Sequence, residues 1–294
     1  MKVLCFGSLN IDYTYQVDHF VQKGETILSK DLQVFPGGKG FNQSIALARA
    51  GLKTYMAGKI GTDGLFLKKL LEENNVNTDF IKVSAVEKTG NAIIQNDKDG
   101  DNCILLYGGT NQTITREHMD SVLSAFEKGD VLILQNEIND MGYLMEKAHE
   151  KGLKIVLNPS PMDEKIEQYP LDLVDIFLLN EVEGAQLLKK KDISFEEMIS
   201  ELWDKYNTTT ILTVGEKGAY YKDQQMFFHQ EAYVVKAVDT TAAGDTFTGY
   251  FLKEYFSGNI RNALQIASLA SSIAVTRKGA YPSIPTMEEV KERL

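Results

Sequence analysis

Short apolar runs alternate along the sequence with segments of helical periodicity. Five runs have the length and composition of strands buried on both faces, at residues 3–6, 131–134, 155–157, 176–179 and 211–214. After most of them, apolar residues recur every three or four positions, at residues 40–50, 65–73, 141–151, 182–189 and 195–206. This spacing predicts right-handed βαβ units, and therefore a three-layer α/β fold with a mostly parallel central sheet.

Two segments depart from this alternation. Residues 11–35 lack a helical period, and residues 89–107 predict two strands around an Asp-Lys-Asp-Gly-Asp turn at 97–101. Together they predict a small β-sheet beside an α/β core formed by residues 1–10, 36–88 and 108–294. The alternative is two extra strands at the edge of the main sheet. Residues 259–276 predict a long helix that packs in the core.

Charge and composition exclude several classes of function. The 294 residues include 31 Lys and Arg against 41 Asp and Glu, a net charge of −10, which argues against nucleic-acid and membrane partners. No apolar stretch approaches the roughly 18 residues of a membrane span. Cys5 and Cys103 lie in apolar runs, so we predict two buried thiols in a reducing compartment and a cytoplasmic protein. The scattered histidines argue against a zinc site.

The strongest local motif lies at residues 238–247, Val-Asp-Thr-Thr-Ala-Ala-Gly-Asp-Thr-Phe. It predicts a strand that ends near Val238, followed by small residues and then an amphipathic helix. Small residues at a helix start leave backbone N–H groups free to bind an anion. Asp245, in the first turn of that helix, would be held where a hydroxyl group could approach a bound phosphate. The alternative is that Asp245 is only a helix N-cap.

Two further motifs carry polar residues at the predicted ends of strands. Residues 36–43, Pro-Gly-Gly-Lys-Gly-Phe-Asn-Gln, combine three glycines with Lys39 and Asn42, but they do not have Walker P-loop spacing. Asn10 and Asp12 follow the first strand, where α/β sheets bind ligands. A plain glycine turn and an Asn/Asp turn are the alternatives. The lack of Gly-x-Gly-x-x-Gly after the first strand argues against a nicotinamide-dependent oxidoreductase.

In combination these motifs resemble the two signatures of the ribokinase (PfkB-type) family of carbohydrate kinases. The resemblance extends almost from end to end, because six shorter motifs follow the family's order: Asn-Ile-Asp at 10–12, Gln-Asn-Glu at 135–137, Asn-Pro-Ser-Pro at 158–161, Asn-Glu-Val-Glu at 180–183, Thr-Val-Gly-Glu-Lys-Gly at 213–218 and Thr-Arg-Lys-Gly-Ala-Tyr-Pro-Ser at 276–283. One short motif can arise by chance, whereas an ordered set is highly specific.

The resemblance implies a division of roles in the site. Sugar hydroxyls would be held by Asn10, Asp12, Gly38, Lys39, Asn42 and Glu137. Asp245 would receive the proton of the attacking hydroxyl, beside an anion hole formed by Ala242, Ala243, Gly244 and Asp245. Phe41 stands where the family commonly has a small residue, and its ring would either reshape the sugar pocket or point into the helix layer.

The resemblance also implies the cofactors and partners. ATP would be bound with Mg²⁺ by Asn180 and Glu183, its nucleotide part by Thr213, Gly215 and Gly218, and its transferring phosphoryl group by Gly244. A K⁺ ion would lie in a loop that includes Asp239, Thr241, Ala274, Arg277, Gly279 and Ser283. The small sheet would be a lid that also pairs two subunits into a homodimer.

The implied reaction is transfer of the γ-phosphoryl group of ATP to the 5-hydroxyl of D-ribose. Another small sugar or a nucleoside is the alternative substrate. A sugar-binding regulator without activity is the rival from another class of protein, but a binding protein needs no proton acceptor at position 245.

Overall fold

The computed structural model describes residues 1–294 and contains two β-sheets. The strands are β1 (Val3–Phe6), β2 (Asn10–Gln16), β3 (Asp31–Gly37), β4 (Thr54–Gly61), β5 (Asn77–Ser84), β6 (Gly90–Asn96), β7 (Asn102–Tyr107), β8 (Val131–Gln135), β9 (Lys154–Asn158), β10 (Ile176–Asn180), β11 (Thr209–Thr213), β12 (Ala219–Lys222) and β13 (Phe227–Gln230). The α-helices are α1 (Lys39–Arg49), α2 (Leu65–Glu73), α3 (Arg116–Ser124), α4 (Met141–Lys151), α5 (Glu181–Leu188), α6 (Phe195–Tyr206), α7 (Ala243–Tyr255), α8 (Ile260–Val275) and α9 (Met287–Lys291).

The main sheet has nine strands in the order β13-β12-β11-β10-β9-β8-β1-β4-β5. All neighbouring strands are parallel except at one edge, where β12 pairs antiparallel with β11 and with β13. Each side of the sheet has its own hydrophobic core, because successive side chains of a strand point to opposite faces. Val3 and Cys5 pack with α1, α7 and α8, whereas Leu4 and Phe6 pack with α3, α4 and α6. The predicted three-layer fold is confirmed.

The second sheet is small and separate from the first. It has four strands in the order β3-β2-β6-β7, and the predicted turn at 97–101 joins β6 to β7. The alternative of two extra strands at the edge of the main sheet is therefore wrong. The base of the β6–β7 hairpin is tied to the main sheet, since Asp63 accepts hydrogen bonds from the Thr89 amide (3.1 Å) and hydroxyl (2.8 Å) and Lys59 forms an ion pair with Glu87.

Three details of the sequence-based prediction need correction. No strand ends near Val238. The backbone there bonds to the end of α8 instead of to a neighbouring strand, since the Val275 carbonyl accepts from the N–H groups of Val238 (2.7 Å) and Asp239 (3.2 Å). Cys103 is exposed, since it lies on the outer strand β7, which no helix covers; Cys5 is buried as predicted. Strands β4 and β5 were not predicted, because glycines and polar residues interrupt their apolar pattern.

No helix in the structure combines the length and the apolar character that a membrane crossing requires.

Candidate active site

The site lies at the carboxyl end of β1, where the order of strands reverses. The chain passes from β1 to β4 on one side, while β8 pairs with β1 on the other, and such a point opens a crevice in an α/β sheet. Two glycines let the start of α1 enter this crevice. A Cβ atom on Gly40 would stand 2.6 Å from the Ser8 nitrogen, and one on Gly7 would collide with the Gln135 side chain. The motif at 36–43 is thus more than a plain glycine turn.

One wall of the crevice carries carboxylates and amides. Asn10 and Asp12 lie on the same face of β2, and the Asp12 carboxylate packs over the bare Cα of Gly37 on the neighbouring strand. Asn10 Oδ1 accepts a hydrogen bond from Asn111 Nδ2 (2.7 Å). Because this amide pair fixes the Asn10 side chain inside the crevice, Asn10 is not a simple turn residue.

Glu137 faces this wall from the loop after β8. Its Oε2 atom accepts a hydrogen bond from the Lys39 N–H (2.9 Å) at the start of α1, and another from the Ser8 hydroxyl. The glycine turn before α1 makes this possible, since the N-cap Gly38 has φ 93° and offers no side-chain cap. The carboxylate of Glu137 therefore takes the place of a helix cap.

Burial shifts the protonation of these two carboxylates. Burial, and then the charge of Glu137, raise the pKa of Asp12 to about 6. Burial also raises the pKa of Glu137, although the Ser8 hydrogen bond and the Lys39 charge oppose the shift. Nearby, the buried Oδ1 atom of Asn42 has no hydrogen-bond partner in the protein. A pocket with surplus acceptors and unpaired buried polar atoms matches a ligand rich in hydroxyl groups.

The opposite end of the crevice is the start of α7. Its N-cap, Ala242, has φ 62° and no side-chain hydrogen bond, and Gly244 is exposed, with open space where a Cβ would be. Asp245 is not the cap. It lies inside the first turn and is buried, and its Oδ1 atom accepts from Gln43 Nε2 (3.0 Å). Uncapped N–H groups at a helix start bind anions, so this end suits a phosphate.

The close packing of α1 against α7 brings Asp245 to this position. A Cβ on Gly249 would stand 2.5 Å from the Ala46 backbone, so the two helices touch at this point. Gln43 lies three residues before Ala46 and Asp245 four residues before Gly249, one helical turn along each helix. The contact therefore places both side chains side by side at the sheet end of the two helices.

Comparisons with known proteins agree with this geometry. The model of the pfkB family of carbohydrate kinases matches residues 1–287. The chain belongs to that family. A ribokinase of Staphylococcus aureus (strain COL) is 36% identical over 99% of both chains. Two solved structures cover nearly the whole chain: ribokinase of Cryptococcus neoformans var. grubii serotype A in complex with ADP (34% identity, TM-score 0.87, 100% of this chain and 99% of that one) and Arabidopsis thaliana ribokinase complexed with ribose and ATP (29%, 0.88, 99% and 97%).

In this pfkB-family chain, the predicted ATP residues lie along neighbouring strand ends. Asn180 and Glu183 form a capping box at the start of α5: Asn180 Oδ1 accepts from the Glu183 N–H (2.9 Å), and Glu183 Oε2 from the Asn180 N–H (3.0 Å). Thr213 ends the adjacent strand β11. Two tight turns follow, with φ 56° at Gly215 and 97° at Gly218, where a Cβ would collide with the Gln230 carbonyl. The capping box leaves one Glu183 oxygen for other partners.

The predicted cation loop consists of two segments that one carboxylate joins. Asp239 Oδ1 accepts from the Thr241 N–H (2.9 Å) and Oδ2 from the Gly279 N–H (2.9 Å). Burial opposes ionisation, but these hydrogen bonds prevail and lower the pKa of Asp239. Nearby, the Arg277 N–H donates to the Ala274 carbonyl (3.0 Å), and the buried Ser283 to the Ala280 carbonyl (2.7 Å).

Phe41 points into the helix layer and away from the pocket. Its ring is fully buried and meets the Tyr281 ring edge to face, with centroids 5.8 Å apart. Of the two predicted orientations, the structure has the one that directs the ring into the helix layer.

Several polar residues of the site, all buried except the half-buried Asn158, were not assigned from the sequence. They are Ser8, Gln43, Asn111, Gln135 and Asn158. All except Asn111 lie within or next to the recognised motifs, which is the only indication that the sequence gives of them. Their partners are distant in sequence: Asn111 pairs with Asn10 across 101 positions and Gln43 with Asp245 across 202.

Proposed function

We propose that this protein is an ATP-dependent kinase that transfers the γ-phosphoryl group of ATP to the 5-hydroxyl of D-ribose. The observation that carries the proposal is the buried Asp245 carboxylate at an uncapped helix start, facing a pocket of unpaired acceptors. The similarity to ribokinases, one of them complexed with ribose and ATP, favours ribose as the sugar. Another small sugar or a nucleoside is the alternative.

Each group of residues has a separate role in the proposed reaction. Asn10, Asp12, Asn42 and Glu137 bind the sugar hydroxyls, together with the turn at Gly38 and Lys39. Asp245 uses its free oxygen to orient the attacking hydroxyl and to receive its proton as the new bond forms. The N–H groups of Gly244 and Asp245 stabilise negative charge on the transferring group, whereas the Ala243 N–H already donates to the Thr240 carbonyl (3.1 Å). Positioning and charge stabilisation supply most of the rate, because the transition state is loose.

The chain's residues are compatible with both proposed metal ions. No cluster of three or more His, Cys, Asp or Glu side chains could hold a metal ion. Mg²⁺ in ATP sites usually keeps several waters and takes one or two carboxylates with the phosphates, so the free oxygen of Glu183 beside Asn180 suffices. Mg²⁺ would neutralise charge on the phosphates. The loop around Asp239 could hold K⁺ mainly through backbone carbonyls, since both Asp239 oxygens already bind N–H groups.

A substrate screen tests the proposal. ADP release is measured with pentoses, deoxypentoses, hexoses and nucleosides, each with K⁺ or with Na⁺ at the same ionic strength. We expect the highest kcat/KM with D-ribose and a further increase with K⁺. Activity confined to nucleosides would favour a nucleoside kinase. Absence of ATP turnover with all of the compounds would contradict the proposed kinase function.

We further propose that the small sheet, residues 11–35 and 89–107, is a lid that pairs two subunits into a homodimer. Val34, Ile93 and Leu105 lie in one row across the sheet, with Tyr13 between the first two, and are 51%, 38% and 67% exposed on the face opposite Asp12. Exposed apolar patches of this kind mark interaction surfaces. Sedimentation should give a dimer for the native chain and a monomer for Leu105→Glu; a native monomer would contradict the pairing.

A cytoplasmic location stays a prediction.

A further inference from the structure

Three buried side chains, Gln135, Gln43 and Asp245, and the half-buried Asn158 form one hydrogen-bonded network. Gln135 Nε2 donates to Gln43 Oε1 (2.6 Å). Gln43 Nε2 in turn donates to Asp245 Oδ1 (3.0 Å) and to Asn158 Oδ1 (3.2 Å). Asn158 is itself oriented by its own donation to the Leu178 carbonyl (2.8 Å). The network thus joins the ends of β8 and β9 and the middle of β10 to helices α1 and α7.

Which group donates and which accepts in each of these hydrogen bonds is determined by the Leu178 carbonyl and the Asp245 carboxylate at the two ends. The Leu178 carbonyl can only accept, so Asn158 must present its oxygen to Gln43. The Gln43 carbonyl already accepts from Gln135, so the Gln43 amino group must face Asp245. Gln43 therefore always offers a donor to Asp245 and never an acceptor.

This arrangement occupies one carboxylate oxygen and leaves the other without a protein partner. No hydrogen bond from the protein reaches Asp245 Oδ2, whereas Oδ1 is held by Gln43. Gln43 is itself 1% exposed, so it cannot touch a ligand in the crevice. Its effect on the reaction must pass through the groups that it holds, and of these the Asp245 carboxylate is the one with a proposed role in the reaction.

We infer that Gln43 is a positioning residue, which fixes the Asp245 carboxylate so that its free oxygen meets the attacking hydroxyl. The inference rests on the proposed kinase function. A carboxylate that loses this bond can rotate about its side-chain bonds, and the fraction of molecules with the acceptor in line falls. The competing explanation is that Gln43 only satisfies buried polar groups of the core.

Gln43→Met tests the two explanations, because methionine has similar length and no donor. We expect kcat to fall about 100-fold, as for a small misplacement of a reacting group. The KM values of sugar and ATP and the calorimetric Kd of the sugar should stay within about threefold, since the sugar contacts remain. A kcat within twofold of the native value would overturn the inference, as would equal losses in kcat and in sugar affinity.

Gln43→Glu gives a readout that a purely structural role would not produce. Near neutral pH the new carboxylate accepts from Gln135 but has no hydrogen for Asp245, and the two like charges repel. The other ionisable groups near the pair are Cys5 and Glu137, whose charges interact with Asp245, and Lys39 and Asp12 beside Glu137; all four are the same in both proteins. We expect the ratio of variant to native kcat to rise as the pH falls from about 8 to about 5.5, because protonation restores a donor. A ratio independent of pH would overturn the inference.

Gln135→Met is the matched control. It removes a buried amide from the same network but leaves the Gln43 donor to Asp245 in place. A positioning role predicts a clearly smaller loss of kcat than in Gln43→Met, whereas a general packing role predicts similar losses.

The proposed function can fail separately from the inference. A native protein that phosphorylates none of the sugars and nucleosides would refute the function. A crystal structure of Gln43→Met would then decide on the inference: a disordered or rotated Asp245 carboxylate supports it, and an unchanged carboxylate overturns it.

Discussion

At the end of the crevice that we propose binds the sugar, the groups that face the crevice are side chains, whereas at the end proposed to bind the phosphoryl group they are backbone N–H groups. Asp12, Asn42 and Glu137 are held in place by neighbouring strands and helices. The buried Asn42 oxygen has no protein partner, and burial raises the pKa of both carboxylates. The start of α7 has no side chain to offer at Gly244 and no cap at Ala242. One end can therefore discriminate between ligands by hydroxyl pattern, and the other recognises only charge and shape.

Asp245 stands where the two ends meet, so its replacement should have the largest effect. Asp245→Asn keeps the volume and the hydrogen bond at Oδ1 but removes the proton acceptor. We expect kcat to fall by about 10²–10⁴-fold with sugar affinity changed less than about threefold. Single-turnover kinetics and calorimetry measure the two quantities. A variant with near-native kcat would contradict the assignment.

Asn42→Leu tests the sugar end. The buried Asn42 oxygen lacks a protein partner, so its removal should leave the melting temperature unchanged or higher. A sugar hydroxyl left unpaired costs about 1–3 kcal/mol, so we expect kcat/KM for the sugar to fall about 10- to 100-fold. The KM of ATP should be unaffected. Loss of stability together with loss of ATP binding would show that Asn42 serves the fold instead.

Gly244→Ala tests the phosphoryl end. A Cβ at this position meets no atom within 4 Å, and Gly→Ala at a compatible helical site stabilises by about 0.4–1 kcal/mol. The methyl group would nevertheless crowd a bound phosphate, and we expect kcat/KM for ATP to fall roughly tenfold, a loss of about 1.4 kcal/mol in transition-state stabilisation.

The control for this variant is Gly249→Ala, the same substitution in the same helix. There the Cβ would meet the Ala46 backbone at 2.5 Å, so stability should fall. Denaturant unfolding together with kinetics distinguishes the two. A Gly244→Ala variant that is destabilised but has native kinetics would contradict the proposal that this glycine serves phosphate binding.

The smallest expected effect is a pH dependence confined to the sugar end. The pKa of Asp12 is about 6, above its ordinary value of 3.8, because the folded state buries the charge. The native state therefore binds this proton more tightly, and Asp12 contributes less to stability above about pH 6 than below it.

The protonated form of Asp12 loses acceptor capacity, so the KM of the sugar should rise severalfold below about pH 6 while the KM of ATP stays level. Asp12→Asn should flatten the profile; a flat native profile would contradict the assignment.

The sequence allowed prediction of those parts of the molecule in which local pattern decides structure. The apolar runs of β1 and β8 and the turn at 97–101 are set by burial and turn chemistry, and both lie where predicted. Phe41 could not be oriented from the sequence, because its partner Tyr281 lies 240 positions away. The expected strand before α7 was wrong because the end of a helix supplies its hydrogen bonds, which no local pattern encodes.

The candidate site shows the same limit. Glycines and Asp245 are visible as a motif, since helix starts and close backbone approaches require particular residue types. The partner of Asp245 is not visible, because Gln43 reaches it only through the contact of α1 and α7 at Gly249. Exposure of Cys103 was also missed, since an apolar run at the outer edge of a small sheet has the same composition as a buried strand.

Strand β2 runs without a break from Asn10 in the crevice to Gln16 at the far side of the small sheet, seven residues in all. A strand of this length spans about 20 Å, and Asp12 lies near the Asn10 end in the pocket whereas Gln16 lies at the other end. A rotation of about 10° at Asn10 would move Asp12 by about 1 Å and Gln16 by about 3–4 Å. With Asp12 bound to a sugar hydroxyl as proposed, a small movement of its carboxylate would therefore move the outer end of β2 about three times as far.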